Sequence, residues 1–120
     1  MPILGVGTDI TETERIRAVM EREPRFAERV FTEFELSYCL SKRRTHLHLA
    51  ARFAAKEAVA KALGRSFSWQ DVELRNDNKG KPLVKLYGEA NEAAGGAVVH
   101  VSVSHSDNYA TAVAIVEDGS

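Results

Sequence analysis

The spacing of apolar residues changes from a helical period to a strand period about halfway along the chain. Small and apolar side chains recur every three or four positions over residues 47–63, and Gly64 follows at once, which is typical of a helix that ends at a glycine. In the second half, segments 72–75, 83–87 and 99–103 alternate apolar and polar side chains, as half-buried strands do. A helical block with an antiparallel sheet packed against it is therefore predicted, which is an α+β fold.

Shorter segments complete this prediction. Thr11 and Thr32 each stand three residues before a glutamate, which is the spacing of a capping box, so each is expected to start a helix. The first of these helices should stop before Pro24, because the residue before a proline is held out of the helical region. The remaining predicted elements are, in chain order, a strand at 3–8, helices at about 12–21, 33–41 and 89–94, and a buried strand at 110–116.

The composition indicates one soluble domain that spans residues 1–120. Hydrophobic residues make up 44% of the chain and charged residues 28%, which suits a domain with a core and a polar surface. No apolar run approaches the roughly 18 residues of a membrane span, and a net charge of −1 gives no field that would draw the chain to nucleic acid or membrane. The single cysteine, Cys39, cannot form an internal disulfide, so we expect a cytoplasmic protein.

The long predicted helix carries charged side chains within an otherwise small and apolar sequence. Glu57 and Lys61 are four residues apart, and Lys56 stands beside them. Glutamate before lysine at this spacing stabilises an ordinary solvated helix by about 0.2–0.5 kcal/mol, so a surface in water is the simpler interpretation. The alternative is that this helix presents a carboxylate and two ammonium groups to a charged ligand.

Two polar residues at strand ends are further candidates for a site. Asp9 follows the first strand, and with Thr11 as the predicted helix cap it has no clear local partner. A partly buried carboxylate needs a cation or hydrogen bonds, and Glu57 offers a second carboxylate to share a cation. His105 ends a predicted strand beside a turn, where an imidazole can bind a phosphate, although such a histidine is more often simply exposed.

Arginines near the N-terminus suggest a surface for an acidic partner. Arg15 and Arg22 are seven residues apart and share a face of the first predicted helix, and Arg25 follows shortly after. A row of this kind is ordinarily solvated. It also suits the docking of an acidic helix, because guanidinium groups bind carboxylates in a defined orientation and speed the encounter.

Three separated segments carry signatures that belong together. They are 7–10 (GTDI), 53–61 (FAAKEAVAK) and 101–105 (VSVSH). With them the chain resembles the 4′-phosphopantetheinyl transferases and, within these, the bacterial holo-acyl-carrier-protein synthases. The likeness extends over almost the full length, including segments 25–30 and 80–82. The F-x-x-K-E-x-x-x-K pattern with an upstream G-x-D is specific, whereas either part alone is weak.

The resemblance implies a reaction and the residues that perform it. The 4′-phosphopantetheine group of coenzyme A passes to a serine of an apo acyl carrier protein, 3′,5′-ADP is released, and the product serves fatty acid biosynthesis. Mg²⁺ would be held by Asp9 and Glu57, and Lys61 would neutralise charge on the transferred phosphoryl group. Lys56 and His105 would contact coenzyme A phosphates. Glu57, Lys61 or a metal-bound water would take the serine proton, and the sequence does not choose among them.

The resemblance also implies partners and an assembly. By the resemblance, Arg15, Arg22 and Arg25 fall on one helix, and the face of this helix that carries them would dock the acyl carrier protein. Larger members of the superfamily join two related halves around one active site, and this chain has the length of one half, so a homotrimer with pockets between subunits is implied. One departure from many relatives is the short segment 65–68, where they have a longer glycine-bearing loop. Contacts made by that loop are not carried over to this chain.

Two other functions remain open at the level of the sequence. A Mg²⁺-dependent hydrolase that splits nucleotide pyrophosphates would use similar carboxylates, with water in place of the serine. The clustered glutamates usual on the helix of such an enzyme are absent, since Glu57 stands alone. A non-catalytic α+β module that binds an acidic helix through Arg15 and Arg22 would need no metal.

Overall fold

A long helix packed on a three-stranded antiparallel sheet forms the centre of the fold, and a two-stranded hairpin lies beside them. The computed structural model describes residues 2–120. The helices are α1 (Thr13–Arg22), α2 (Phe26–Val30), α3 (Glu33–Leu40), α4 (Thr45–Leu63) and α5 (Gly88–Ala94). The strands are β1 (Ile3–Glu12), β2 (Val72–Asn76), β3 (Pro82–Leu86), β4 (Val98–His105) and β5 (Tyr109–Glu117), and a 3₁₀ turn at Trp69–Asp71 precedes β2.

The five strands form two separate antiparallel sheets. β5 lies between β1 and β4 and pairs with both, while β2 and β3 form the hairpin. The register places Asp9 opposite Ala112, and Ala112 opposite Val103. Ala112 is buried in the core against α4, so these three residues share the sheet face that the helix covers. The α+β fold with an antiparallel sheet is confirmed.

Two helix ends agree with their local signals, and one helix start does not. α4 ends at Gly64, which has a φ of 84°, and the Thr32 hydroxyl and Glu35 carboxylate form the predicted capping box of α3. The predicted cap at Thr11 is wrong, because β1 continues through this residue to Glu12 and pairs it with Ala110. The Thr11 hydroxyl instead donates a hydrogen bond to Asp9, at 2.8 Å. Pairing in the sheet thus outcompetes the local cap.

Two glycines of β1 let the strand lie directly on the backbone of α4. A Cβ atom at Gly5 would stand 1.9 Å from the carbonyl oxygen of Ala62, and one at Gly7 would stand 2.0 Å from that of Ala58. No side chain fits at these distances. The close approach sets the strand that carries Asp9 against the helix that carries Glu57 and Lys61.

The core consists of two apolar clusters that meet on α4. One cluster lies between α4, the sheet and the hairpin, and the other lies between α4 and the three preceding helices. Within residues 2–120, no helix combines the length and the hydropathy that a membrane crossing requires. The fully buried side chains of the second cluster include Phe31, Leu49 and Cys39.

The buried thiol of Cys39 is expected to be almost unreactive in the folded protein. Its side chain is fully buried, and burial raises its pKa to about 11, so the thiolate that reacts with disulfide reagents is scarce at neutral pH. We expect Ellman's reagent to modify the native protein at least about 100-fold more slowly than the urea-unfolded chain. Equal rates in the two states would contradict the buried position.

Candidate active site

Asp9 and Lys61 stand together where β1 crosses α4. The Lys61 ammonium lies 3.7 Å from a carboxylate oxygen of Asp9 and donates a hydrogen bond to the backbone carbonyl of Thr8, at 3.0 Å. The Asp9 side chain is 16% exposed, whereas that of Lys61 is 56% exposed. The lysine therefore keeps access to solvent while its ammonium is held beside the carboxylate.

Glu57 lies one helical turn before Lys61 and is close enough to Asp9 for the two charges to interact. Burial raises the pKa of the Glu57 carboxyl, the negative charge of Asp9 raises it further, and the positive charge of Lys61 opposes both. The structure thus brings together three residues of the predicted site, one from a strand and two from a helix. The two acids, Asp9 and Glu57, are 48 positions apart in the sequence. Two carboxylates with a nearby ammonium form a site that favours a cation and a phosphate.

Three clefts meet at these residues. The largest, of about 520 Å³, contains Asp9 and Lys61. A second, of about 370 Å³, is lined by Glu57, Lys61, Arg65 and others, and a third, of about 280 Å³, also contains Glu57. Lys61 borders the first two clefts and Glu57 the last two, so the acids and the lysine stand along one stretch of surface depressions. Arg65 on this rim was not singled out from the sequence.

Lys56 does not face these clefts with its charge, contrary to the predicted phosphate contact. Its side chain is 1% exposed, and its ammonium forms a 2.8 Å ion pair with the fully buried Glu35. It also donates to the backbone carbonyls of Trp69, at 2.9 Å, and Val72. These acceptors take up all three N–H groups of the ammonium, so none remains for a ligand.

His105 is exposed at the end of β4, in a small neighbouring cleft of about 210 Å³. This cleft shares Ser104 and Thr111 with the large cleft of Asp9. The His105 ring also packs edge-on against that of His48, with 6.2 Å between ring centroids. His105 is thus near the site, and its contact with a phosphate stays a prediction.

The three predicted docking arginines are all exposed, but they do not share one helix. Arg15 and Arg22 lie on α1, whereas Arg25 lies beyond its end, at the residue that precedes α2. The prediction that Arg25 belongs to the same helix face is wrong, because the chain turns after Glu23.

A set of buried charges around Lys56 was missed by sequence reasoning. Glu35, Arg52 and Glu73 are each less than 5% exposed. One signal was available, since Arg52 and Lys56 are like charges four residues apart, which is unfavourable on a solvated helix and points to acidic partners elsewhere. The partners come from other elements, Glu35 of α3 for Lys56 and the side-chain oxygen of Asn76 in β2 for Arg52, and neither has a local signature.

Comparison with known proteins identifies the family of this chain. The family model of the 4′-phosphopantetheinyl transferase superfamily matches residues 5–114. The holo-[acyl-carrier-protein] synthase of Protochlamydia amoebophila is 48% identical over 117 residues, which cover 93% of this chain and 96% of that protein. The holo-[acyl-carrier-protein] synthase of Bacillus subtilis is 46% identical, with 96% of each chain covered.

A solved structure shows the same fold. The holo-(acyl-carrier-protein) synthase of Bacillus anthracis, in complex with CoA (3′,5′-ADP), superposes with a TM-score of 0.83 at 36% identity, with 97% of each chain covered. The match thus extends over nearly the whole chain in both sequence and structure. The chain belongs to the 4′-phosphopantetheinyl transferase superfamily.

Proposed function

We propose that this protein transfers the 4′-phosphopantetheine group of coenzyme A to a serine of an apo acyl carrier protein and releases 3′,5′-ADP. The observation that carries the proposal is the convergence of Asp9, Glu57 and Lys61, from two distant signatures, on one set of clefts. Relatives named holo-[acyl-carrier-protein] synthase, and a related structure with coenzyme A, support the same reaction. Fatty acid biosynthesis in the cytoplasm is the setting that we propose for it.

Asp9 and Glu57 would hold Mg²⁺. The negative charge of Asp9 raises the pKa of Glu57, which favours a cation between the two carboxylates, and oxygen donors are the ligands that Mg²⁺ prefers. Within residues 2–120, no group of three or more His, Cys, Asp and Glu side chains could hold a metal by itself. This suits Mg²⁺, which commonly takes one or two carboxylates together with waters and substrate phosphates. When bound, the ion supplies positive charge that neutralises the diphosphate of coenzyme A.

The other residues of the site would bind phosphate and handle the proton. The serine oxygen forms a bond to phosphorus as the bond from phosphorus to 3′,5′-ADP breaks, and the hydroxyl proton passes to a base. Lys61 is exposed and contacts Asp9 and the Thr8 carbonyl, and it would bind oxygens of the transferred phosphoryl group. Glu57 and Lys61 are the candidates for the base, and His105 would contact a coenzyme A phosphate from the adjoining cleft.

The outer face of the sheet supports a homotrimer. Leu4, Val6 and Ile10 of β1 are 60%, 58% and 64% exposed, on the face that α4 does not cover. An apolar surface of this kind is typical of an interface between chains. Ser102 and Thr111, which line the Asp9 cleft, belong to the same outer face, so a neighbouring copy would help to close that cleft. Light scattering tests the assembly, and we expect a molar mass in solution of three times that of one chain.

Reversing the charge of Arg15 is expected to weaken the binding of the carrier protein and to spare the binding of coenzyme A. Arg15 is exposed on α1, away from the clefts that contain Asp9 and Glu57. We expect Arg15→Glu to raise the KM for the carrier protein by about tenfold or more, since it turns an attraction for acidic groups into a repulsion. The KM for coenzyme A should stay within about twofold. Lys79→Glu, at the exposed turn of the hairpin, is the matched control, and equal damage to both KM values would contradict docking through α1.

Mass spectrometry of an apo carrier protein tests the proposed function. After incubation with this protein, coenzyme A and Mg²⁺, we expect the phosphopantetheine arm on a serine and one 3′,5′-ADP for each modified carrier. Release of 3′,5′-ADP without a carrier protein would instead identify a pyrophosphate hydrolase. No product, together with no dependence on metal, would favour a binding module.

A further inference from the structure

Lys56 and Glu35 form an ion pair inside the protein, directly beside the candidate active site. Their side chains are 1% and 0% exposed, and the ammonium lies 2.8 Å from the Glu35 carboxylate. The same ammonium holds the backbone carbonyls of Trp69 and Val72. One buried cation thus ties α4 to α3 and to the segment that leads into β2.

Glu35 is itself fixed by two backbone groups. One carboxylate oxygen accepts a hydrogen bond from the amide of Thr32, at 2.9 Å, and the other accepts one from the amide of Leu74, at 2.8 Å. The first bond belongs to the capping box of α3, and the second reaches β2. Because both carboxylate oxygens accept backbone hydrogen bonds, the side chain of Glu35 is held in the orientation in which it pairs with Lys56.

The carbonyls that Lys56 holds belong to the wall of a cleft that contains Glu57. Trp69 and Val72 line the cleft of about 280 Å³ together with Phe67 and Glu57. Lys56 and Glu57 are consecutive in α4 and both border this cleft, but the Lys56 side chain is only 1% exposed and its ammonium is bonded to Glu35 and to the two wall carbonyls. The Lys56 contacts therefore fasten the opposite wall to the helix that carries Glu57.

Other contacts also hold this wall, since the Asp71 carbonyl accepts a hydrogen bond from the amide of Tyr87, at 2.8 Å, and Val72 pairs with Leu86 in the hairpin. Residues 65–68 lie outside helices and strands, and three of the four are exposed. At the far end of this segment, the Trp69 ring stacks on Phe53, with 4.9 Å between centroids, and the Gln70 side chain donates to the carbonyl of Phe31, at 3.0 Å. Lys56 adds buried hydrogen bonds to the backbone carbonyls of Trp69 and Val72.

Stability alone is a weak reason for such a pair. Taking two charges out of water costs several kcal/mol, and apolar replacements of buried ion pairs are often neutral or stabilising. What the pair supplies that apolar side chains cannot is direct hydrogen bonding to two specified carbonyls of the cleft wall.

We propose that Lys56, held by Glu35, is a positioning residue that fixes segment 65–72 against α4 and so shapes the cleft in which coenzyme A binds beside Glu57. The inference rests on the proposed function, because coenzyme A is the ligand whose affinity it affects. Lys56 acts through the wall of the cleft and does not touch the substrate.

Two variants separate positioning from simple stabilisation. Lys56→Met removes the contacts to the carbonyls and leaves Glu35 buried without a cation, so it is expected to lose much stability. Lys56→Met/Glu35→Gln removes both charges and is expected to regain part of that stability, since no ion is then buried unpaired. The affinity for coenzyme A with Mg²⁺, measured by calorimetry, should nevertheless stay at least about tenfold weaker than in the wild type, since the wall still lacks its hydrogen bonds to Lys56.

The single tryptophan reports directly on the wall. Trp69 emission should shift to longer wavelength in both Lys56 variants, because its carbonyl anchor is lost. Val116→Ala is the control for general destabilisation, because Val116 lines none of the three clefts and belongs to the core cluster that does not include Trp69. It should lower stability without moving Trp69 emission or the affinity for coenzyme A. Wild-type affinity and emission in the double variant would overturn the proposal.

A measurement on the unaltered protein covers the case in which the variants do not fold. Binding of coenzyme A is expected to slow amide hydrogen exchange in peptides that span 65–72, and unchanged exchange there would overturn the proposal. Failure of the proposed function has a different signature, namely a wild-type protein that modifies no carrier protein in the mass-spectrometry assay. If the wild-type protein binds coenzyme A without modifying a carrier protein, the affinity of the double variant for coenzyme A still tests the role of Lys56.

Discussion

Replacing Glu57 with glutamine is expected to lower the rate of phosphopantetheine transfer by about 1000-fold or more, while the protein keeps a cooperative unfolding transition. The amide has nearly the same shape but no charge, so the cation loses one of its two proposed protein ligands, a loss of several kcal/mol in the transition state. The fold should not suffer. Because burial and Asp9 raise the pKa of Glu57, its ionised form opposes folding once the pH exceeds its unfolded pKa, and glutamine removes that effect.

The measurement is the initial rate of carrier modification over a range of Mg²⁺ concentrations, together with thermal unfolding of the same sample. Asp9→Asn is expected to give a similar loss of rate, and Glu92→Gln, at an exposed position of α5, should leave the rate unchanged. If Glu57→Gln works at the wild-type rate in excess Mg²⁺, its role as a metal ligand is refuted.

The second large effect is expected from Gly7→Ala. An added Cβ would stand 2.0 Å from the Ala58 carbonyl oxygen, 2.8 Å from the Ala62 nitrogen and 2.9 Å from the Lys61 Cβ. Backbone atoms cannot rotate away, so β1 and α4 must separate, and we expect the free energy of unfolding to fall by about 3 kcal/mol. Separation would also move Asp9 away from Glu57, so transfer should be lost with it.

Urea denaturation compares this variant with Gly80→Ala. Gly80, in the turn of the hairpin, has a φ of 86° and open space around it, so its replacement meets only the left-handed backbone penalty of about 1–2 kcal/mol. Transfer by the Gly80 variant should be normal. A Gly7→Ala protein as stable and as active as the wild type would contradict the close approach of strand and helix.

Local signals account for the parts of the fold that could be predicted. The helical period and the terminal glycine define α4 through Gly64, and the capping box defines the start of α3 at Thr32. The signal at Thr11 has the same form and failed, because this residue pairs with Ala110 across the sheet. A sequence of four residues cannot report which of the two competing interactions is stronger.

The candidate site was predictable only in part, for a similar reason. Asp9 and Glu57 could be named from their signatures, but what sets them side by side is the contact of Gly7 with α4, which depends on the packed backbone. Lys56 belongs to the same signature as Glu57 and yet turns inward, because its partner Glu35 comes from another helix. The spacing of residues along a helix gives the angle between their side chains, but it does not show which face of the helix the rest of the protein buries.

Binding of Mn²⁺ in place of Mg²⁺, followed by electron paramagnetic resonance of the free ion, tests the shared metal site most directly. With coenzyme A present, and after subtraction of binding by coenzyme A alone, we predict one site per chain in the wild type. Asp9→Asn and Glu57→Gln should each weaken that site at least about tenfold. Wild-type affinity for Mn²⁺ in either variant would show that the two carboxylates do not hold a common ion.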